Sequence, residues 1–501
     1  MKMPIYCPKK LSIYAAAFAL AAVSHAEDYE FNDPSDRWVS WNSESAWTPS
    51  GIPGASDNVT ISASLSGTDE IQLGDFTEVN NLTIDGLYIN ARFFIEIASS
   101  APGSVIHGNV TIGDTYLTDG GLWRCAAIRG RGKSVTIEGS IIFNATGESR
   151  TINGMEHESN PAFNLGGDWS STVCGSIEVG ANAAVDSRTG LKAAIILDTS
   201  ASGVYQYLNI GAVSDPSKGV VIHNVVQMNY AEGQADTRFT IAKIGGSYIC
   251  DQNISIGGIN GYGTLATSMV NVDANGDPVS PKANLTFTNA AGVHTAFSGS
   301  VIRENDSYGE TLHITMDGQG RQTFKVTGGS GNILQSVTVK NGTFEFSSPF
   351  NSGALSVEGG VFKAIDGGAS FASATWSGGA FSFGADSFLI GMSDKISVDG
   401  KFVKAADGKI AIDFSGFDAE GVLGATYDLI SASVFEDATG ISLTDSDADE
   451  YFYALNLINA FADFSWNGNT LQVTFSEVPE PAAFAAVIGA AALALAVRRR
   501  K

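Results

Sequence analysis

The chain has 501 residues, enough for two or three domains of average size. Only 16% of its residues are charged, against about 25% in an ordinary soluble protein, whereas the hydrophobic fraction of 44% is normal and excludes a disordered chain. Its 29 cations face 53 acidic residues, for a net charge of −24. Since phosphate binding needs clustered cations, this balance argues against a nucleic-acid partner.

The N-terminus carries the three parts of a secretory signal peptide: a short basic segment, an apolar run and small residues before a cleavage site. The basic segment includes Lys9, the apolar run extends from Leu11 to Val23, and the small residues are Ser24 and Ala26. The run is shorter than the roughly 20 residues that a membrane span needs. We therefore predict a signal peptide over residues 1–26, cleaved after Ala26, rather than an uncleaved anchor.

Three tryptophans, Trp38, Trp41 and Trp47, stand near the start of the predicted mature chain. A stacked repeat body must cover the apolar face of its first repeat. We therefore expect these side chains to pack in an N-terminal cap, with an exposed sugar-binding platform as the alternative.

Between residues 27 and 341 the chain contains short runs in which an apolar, a polar and an apolar residue are followed closely by glycine. Such alternation predicts β-strands closed by turns. The second apolar residues of six runs are Ile84, Ile112, Ile137, Val179, Ile210 and Ile256. They are separated by 28, 25, 42, 31 and 46 residues. We interpret two of these steps as near double a rung of roughly 21 to 23 residues.

This pattern predicts an all-β chain folded as a right-handed β-solenoid, or parallel β-helix, over residues 27–341. Each turn of such a body must stack on its neighbours to bury its apolar face. Helices are expected only in the two terminal signals. A string of antiparallel β-sandwiches, which also has short strands at close intervals, is the alternative.

No catalytic motif stands out in this body. The densest ionisable group, Met155-Glu156-His157-Glu158, lies in an insertion rich in Asn and Gly, where we expect a solvated loop, with an acid–base pair as the alternative. We therefore predict that the protein is not an enzyme. The alternative function is a polysaccharide lyase or glycosidase working with clustered acids on a β-helix, or a carbohydrate-binding protein on the same fold.

Two acidic stretches have oxygen-bearing side chains at alternate positions, as calcium loops do. The first comprises Asp273, Asn275 and Asp277. The second comprises Asp445, Asp447 and Asp449. Lys282 stands where the first stretch would need a bidentate acid, and the second stretch lacks the expected glycine, so neither is an EF-hand. We expect no cofactor, with weak calcium binding at these stretches as the open alternative.

Three cysteines remain after removal of the signal peptide: Cys125, Cys174 and Cys250. An exported protein reaches a compartment that permits disulfides. One intramolecular bridge at most can form, which leaves one thiol over. No pair has the spacing of a metal site, so we expect no zinc.

From residue 342 to 476 the composition shifts towards Gly, Phe and Asp. The motifs in order are Gly359–Phe362, Trp376–Phe383, Asp394–Gly400, Tyr427–Ile430 and Trp466–Leu471. They resemble the last rungs of autotransporter-type β-helix passengers. About 26 residues follow Phe475, too few for an outer-membrane barrel, in which one strand alone takes about 10. We therefore expect export by another route.

The C-terminus, residues 478–501, has three parts in a fixed order. Pro479-Glu480-Pro481 is followed by an uncharged segment, Ala482–Val497, and by Arg498-Arg499-Arg500-Lys501. The prolines favour an extended backbone around Glu480. Sixteen helical residues rise about 24 Å, enough to insert into a somewhat thinned bilayer as a transmembrane helix. The terminal cations hold that end in the cytoplasm.

These residues resemble the PEP-CTERM sorting signal of Gram-negative bacteria, which marks a secreted protein for the membrane enzyme exosortase. The resemblance covers about 24 residues and implies recognition of Pro479, Glu480 and Pro481, with Arg498, Arg499 and Arg500 in the basic tail. Ala482 and Ala483 stand where the family often has Ser or Thr, which leaves the cleavage position open. A plain C-terminal membrane anchor is the alternative.

Loss of both ends would remove seven of the 29 cations, leaving 22 against 53 acids and a net charge of about −31. Together these features predict an exported structural or adhesive protein of the cell surface or extracellular matrix, membrane-anchored as a precursor. Expected partners are the secretion translocon and exosortase during export, transient contact with the inner membrane through the C-terminal helix, and then exopolysaccharide or other surface proteins.

Overall fold

The computed structural model describes residues 26–32, 38–62, 64–65, 70–89, 92–117, 126–152, 154–166, 173–198, 204–211, 213–215, 217–234, 237–244, 251–269, 282–304, 309–384, 394–417 and 419–478. Strands make up 58% of the structure and no helix of seven or more residues occurs in the described part, which confirms the all-β prediction. Among the described residues there are also three short 3-10 helices: Glu44–Ala46, Ala419–Val422 and Ala448–Glu450.

Twenty-seven strands lie between residues 28 and 269 of the described chain. They are β1 Asp28–Phe31, β2 Trp38–Ser40, β3 Trp47–Thr48, β4 Asn58–Ile61, β5 Ser64–Leu65, β6 Glu70–Phe76, β7 Glu78–Val79, β8 Asn81–Ile84, β9 Leu87–Ile89, β10 Arg92–Ile97, β11 Gly103–Ile106, β12 Val110–Ile112, β13 Thr115–Leu117, β14 Ala126–Arg129, β15 Ser134–Ile137, β16 Ile141–Phe143, β17 Arg150–Ile152, β18 Met155–His157, β19 Ala162–Leu165, β20 Ile177–Val179, β21 Ala193–Ile196, β22 Gln206–Gly211, β23 Val220–Ile222, β24 Val225–Gln227, β25 Thr237–Ile244, β26 Gln252–Ile256 and β27 Ile259–Met269.

Sixteen further strands lie between residues 282 and 477. They are β28 Lys282–Phe287, β29 His294–Arg303, β30 Thr311–Met316, β31 Arg321–Gly329, β32 Leu334–Val339, β33 Thr343–Ser347, β34 Asn351–Val357, β35 Val361–Ala364, β36 Ala369–Trp376, β37 Ala380–Phe383, β38 Ile396–Lys404, β39 Ile410–Asp413, β40 Thr426–Asp437, β41 Phe452–Leu455, β42 Ala460–Trp466 and β43 Thr470–Glu477.

Up to β27 the chain visits three long parallel ladders in turn, and β5, β9 and β13 form a short fourth one. The first ladder contains β6, β10, β14, β19, β22 and β25. The second contains β7, β11, β15, β20, β23 and β26. The third contains β4, β8, β12, β16, β21 and β24. Because each strand pairs in parallel with its counterpart in the next repeat, identical positions stack above one another.

The repeated apolar residues form the core of this arrangement. In the second ladder Ile106, Ile137, Val179, Ile222 and Ile256 are successive register partners, and all are buried. Alternation therefore predicted the inward positions correctly, since successive side chains of a strand point to opposite faces.

The rung length inferred from the sequence is wrong. Ile137 pairs directly with Val179, so 42 residues make a single repeat and not two. The repeat is long because it carries the hairpin of β17 and β18 between β16 and β19. Ile210 and Ile256 belong to different ladders, so their separation of 46 residues does not measure a repeat.

At β27 the three ladders become two. Ile259 and Asn260 continue the third ladder beside β24, whereas residues 261–267 pair with β29 in the first ladder. From β28 to β40 the chain alternates between the second and first ladders, and each strand pairs with the strand two further on. Repeats shorten accordingly: Val339, Val357 and Trp376 are register partners separated by 18 and 19 residues.

Phenylalanine fills the space between the two remaining ladders. Phe287 of the second ladder packs against Phe324 and Phe344 of the first, with ring centroids 5.9 and 6.1 Å apart. Phe344 in turn stacks on Phe346 at 5.9 Å, and all four rings are fully buried. The Phe-rich composition of the C-terminal half thus has a structural cause, because two ladders without a third wall need larger side chains between them.

Antiparallel strands close both ends of the described body. At the N-terminal end β1 pairs with β3, and Trp41 and Trp47 lie edge to face at 4.7 Å in the core, whereas Trp38 is 64% exposed. At the C-terminal end β43 pairs antiparallel with β40 and β42. Parallel pairing is continuous across residues 341 and 342, from β31 to β33 and from β32 to β34.

Candidate functional site

Of the predicted processing signals, the structure describes Ala26 at one end and Val478 at the other. Ala26 is exposed, and the backbone N–H of Glu27 donates to Asp57 Oδ1 at 3.0 Å. Val478, the last described residue, is 47% exposed and follows β43 directly. Pro479, Glu480, Pro481 and the three arginines lie outside the described residues, as does the segment Ala482–Val497. Within the described part, no helix is both long and apolar enough to cross a membrane.

The calcium candidates differ in what the structure describes. Asp273, Asn275 and Asp277 lie outside the described residues. Asp447 Oδ1 accepts from the backbone N–H of Asp449 at 3.2 Å, and Asp449 Oδ1 accepts from that of Phe464 at 3.1 Å. Asp447 therefore caps the 3-10 helix Ala448–Glu450, and Asp449 ties that helix to β42. Over the described ranges, no group of three His, Cys, Asp or Glu side chains is placed to hold a metal ion.

Cys174 is free and fully buried, and burial raises the pKa of its thiol far above the ordinary value. Cys125 and Cys250 lie outside the described residues. A buried neutral thiol is a poor nucleophile, so Cys174 acts as a small apolar core residue.

The predicted solvated loop around His157 is instead part of an antiparallel hairpin. Thr151 of β17 pairs with Glu156 of β18, and the Ser149 hydroxyl donates to Glu156 Oε1 at 2.6 Å. His157 packs its ring edge to face against Tyr88 at 5.2 Å. Cross-strand pairing orders this segment, although its polar composition predicted a loop. The Glu156 carboxylate faces a serine hydroxyl and not a second acid, so no acid–base pair is formed there.

Two carboxylates with little exposed side-chain surface meet at one arginine beside the third ladder. Arg188 lies 2.5 Å from Asp198 Oδ2 and 3.9 Å from Asp186 Oδ1, and its guanidinium stacks on the Tyr230 ring at 3.6 Å. Asp186 also accepts from the Tyr230 hydroxyl at 2.6 Å and from the Thr189 hydroxyl at 2.9 Å.

Asp186 is the best-bonded carboxylate of this cluster, whereas Asp198 Oδ1 has no hydrogen-bond partner within the described structure. Burial opposes ionisation of Asp186, yet the hydrogen bonds from Tyr230 and Arg188 outweigh it and leave the pKa of Asp186 below its ordinary value. Burial and the bond to Asp186 raise the pKa of Tyr230. A general acid would need a carboxyl pKa shifted upwards, towards the operating pH. The geometry is that of a clamp that fixes residues 186–198 against the turn after β24.

A polar cleft of about 220 Å³ lies on the first ladder, where β27 joins it. Tyr262, Ser298, Ser300 and Thr327 line one side, and the turn at Glu232 lines the other. The hydroxyls of Ser298, Ser300 and Thr327 form no hydrogen bond within the described structure. Three hydroxyls therefore remain available to a ligand in one concave surface.

Glycine forms the floor of this cleft. A side chain at Gly299 would place its Cβ 1.9 Å from the carbonyl oxygen of Gly263, and Gly263 itself has a φ of +154°. The register shifts between Gly299 and Ser300, where β29 pairs with β31. Such bulges re-aim side chains next to functional sites. The close backbone approach thus requires glycine and exposes the neighbouring hydroxyls.

An aromatic pair lies on the same ladder. The rings of Tyr205 and Tyr207 are nearly parallel, with an interplanar angle of 7° and centroids 6.4 Å apart, and Tyr205 is 43% exposed. Tyr207 pairs with Arg238, which pairs with Thr264 of the cleft. Inspection of the sequence did not identify this pair, although the sequence shows the two tyrosines at alternate positions before a glycine.

A second cleft, of about 300 Å³, lies where the second and third ladders meet. His223 at its edge is 2.6 Å from Glu178 Oε1, and the Asn224 amide donates to the Gly180 carbonyl at 2.6 Å. The side chains of His223 and Asn224 are thus directed to partners in the protein.

No family model matches the chain, and no curated protein and no solved structure is significantly similar to it.

Proposed function

We propose that the chain is an exported structural or adhesive protein of the cell surface or extracellular matrix. In this proposal exosortase recognises Pro479, Glu480 and Pro481 and processes the C-terminal tail. The observation that carries the proposal is the order of signals in the sequence, with a cleavable leader before the body and the Pro-Glu-Pro, apolar and basic segments after it. The exposure of Ala26 and Val478 supports it, because both ends of the body are accessible to processing enzymes.

The body in this proposal is a right-handed β-solenoid. The chain passes through three parallel ladders in a fixed order and later through two of them, which supports stacking of successive turns. Crossovers between parallel strands of one sheet are right-handed in about 98% of cases, which supports the hand. The antiparallel strands β3 and β43 would cap the stack and keep it from growing end to end.

A role without catalysis is supported by the clamp at Arg188. Asp186, which is buried, and Asp198, which is partly buried, share one guanidinium there, and a pair committed to an arginine is not poised to exchange protons with a substrate. The large acidic excess would keep such a protein soluble at the surface.

The test of export is a matched pair of variants in the native host, Glu480→Gln and Glu477→Gln. Glu477 is exposed at the end of β43, three residues before Glu480. We expect the wild type and Glu477→Gln to lose the tail, as shown by the mass of the C-terminal peptide, and to reach the cell surface. Glu480→Gln should keep the tail and stay in the membrane fraction. Equal processing of both variants would refute the sorting proposal.

A further inference from the structure

The geometry points to a glycan-binding surface on the first ladder, formed by the Tyr205–Tyr207 pair and the polar cleft beside it, with a neutral polysaccharide as its ligand. This inference gives the proposed adhesive role a ligand class, and it rests on the proposed function only for its biological setting.

The two halves of the surface are aligned by strand pairing. Tyr207, Arg238, Thr264 and Ser300 are partners on four successive strands. Adjacent strands lie about 4.8 Å apart, so the tyrosine pair and the far wall of the cleft are separated by about 14 Å. A surface of that length fits a short stretch of polymer rather than a single sugar.

The chemistry of the surface matches that of a sugar ring. One side of a pyranose carries C–H groups that pack on an aromatic ring, and the exposed ring of Tyr205, stacked on Tyr207, offers such a platform. The ring also carries hydroxyls that both donate and accept. The unpaired hydroxyls of Ser298, Ser300 and Thr327 have the same capacity.

The charges select a neutral ligand. Arg238 lies 5.4 Å from the Tyr207 ring, and its guanidinium is 3.6 Å from Glu304 Oε1, so its charge is compensated within the protein. Among the described residues that line the cleft, Glu232 is the one acidic or basic side chain. With an acidic excess over the whole chain, uronate polymers are repelled.

The test uses the full chain purified in mild detergent, run in native gels that contain dextran, galactomannan, hydroxyethyl cellulose or, as the acidic polymer, alginate. We expect at least one neutral polymer to retard the protein and alginate to leave its mobility unchanged. Tyr205→Ala should weaken the retardation by about tenfold, the upper range of one aromatic contact. Thr327→Trp, which fills the mouth of the cleft from an exposed position, should weaken it as well.

The matched control is Tyr453→Ala. Tyr453 is 41% exposed on β41, at the far end of the same ladder, so its replacement should leave binding unchanged. The inference would be overturned if no neutral polymer retarded the protein or if alginate retarded it equally. Equal loss of retardation in Tyr453→Ala and Tyr205→Ala would also overturn it. The assay is independent of tail processing, so its failure and the failure of the export proposal are distinguishable.

Discussion

Phe344 is the side chain whose removal should damage the C-terminal half most. Its ring is fully buried and lies 6.1 Å from Phe287, 6.2 Å from Phe324 and 5.9 Å from Phe346, measured between centroids. It therefore links both ladders across two repeats. Phe344→Ala would leave a cavity on all these sides, with rigid strands around it that relax little.

The expected cost follows from the buried area. An aromatic side chain buries about 150–250 Å², which at about 25 cal/mol per Å² amounts to about 4–6 kcal/mol as an upper bound. Measured replacements of buried phenylalanine by alanine cost about 3–5 kcal/mol. We therefore expect Phe344→Ala to lower the free energy of unfolding by about 4 kcal/mol.

The assay is urea unfolding of the full chain, followed by far-ultraviolet circular dichroism, with hydrogen exchange at β31 to β35 to locate the opening. Hydrogen exchange is needed because stacked repeats open in segments. The control is Phe461→Ala on β42, where the ring is 53% exposed and the loss should stay within about 0.5 kcal/mol. A loss below about 1 kcal/mol for Phe344→Ala, or equal losses in both variants, would refute the packing argument.

Three further predictions concern polar and buried groups. Burial opposes ionisation of Glu345, yet the Thr323 hydroxyl and neighbouring cations outweigh it and lower its pKa. The stability contributed by Glu345 should therefore be fully present above the ordinary glutamate pKa and be lost as the pH drops through the lowered value. In melting temperatures measured over a pH series, Glu345→Gln should reduce the decline at acid pH. Cys174 should resist maleimide in the folded protein at pH 8 and react in urea, as followed by peptide mass, whereas labelling in the folded state would contradict its burial. Tyr230→Phe removes the 2.6 Å hydrogen bond to Asp186 and should cost about 1.5–3 kcal/mol in urea unfolding, and an unchanged midpoint would show that the clamp is not structural.

Alternation along the strands was sufficient to predict an all-β chain and its inward positions. Ile137 and Val179 were both identified as core residues, and both are buried in register. The number of residues between them was misinterpreted because a hairpin inserted between ladders does not disturb the pairing on either side. Local patterns report which face a residue occupies, but the length of a repeat depends on connections that carry no periodic signal.

The candidate site was harder to foresee, because it depends on residues far apart in the chain. Tyr207 and Ser300 are 93 residues apart and meet on one surface only through the register of β22, β25, β27 and β29. Inspection of the sequence considered acids and histidines as candidate functional groups, whereas the cleft is lined by serine and threonine. Its one visible signal was the pair Tyr205 and Tyr207 on alternate positions.

The change from three ladders to two explains why the cleft lies where it does. β27 leaves the third ladder after Asn260 and enters the first, so the wall formed by β24 and its turn ends there while the first ladder continues. Where one wall of the body ends and the neighbouring sheet continues, the surface between them is concave. The bend brings the backbones of Gly263 and Gly299 together, which excludes side chains from the floor. Binding sites in open sheets likewise occur where strand order changes, because the chain diverges there. A Gly299→Val variant should therefore disturb this junction before the phenylalanine core, with hydrogen exchange rising first in β27 and β29.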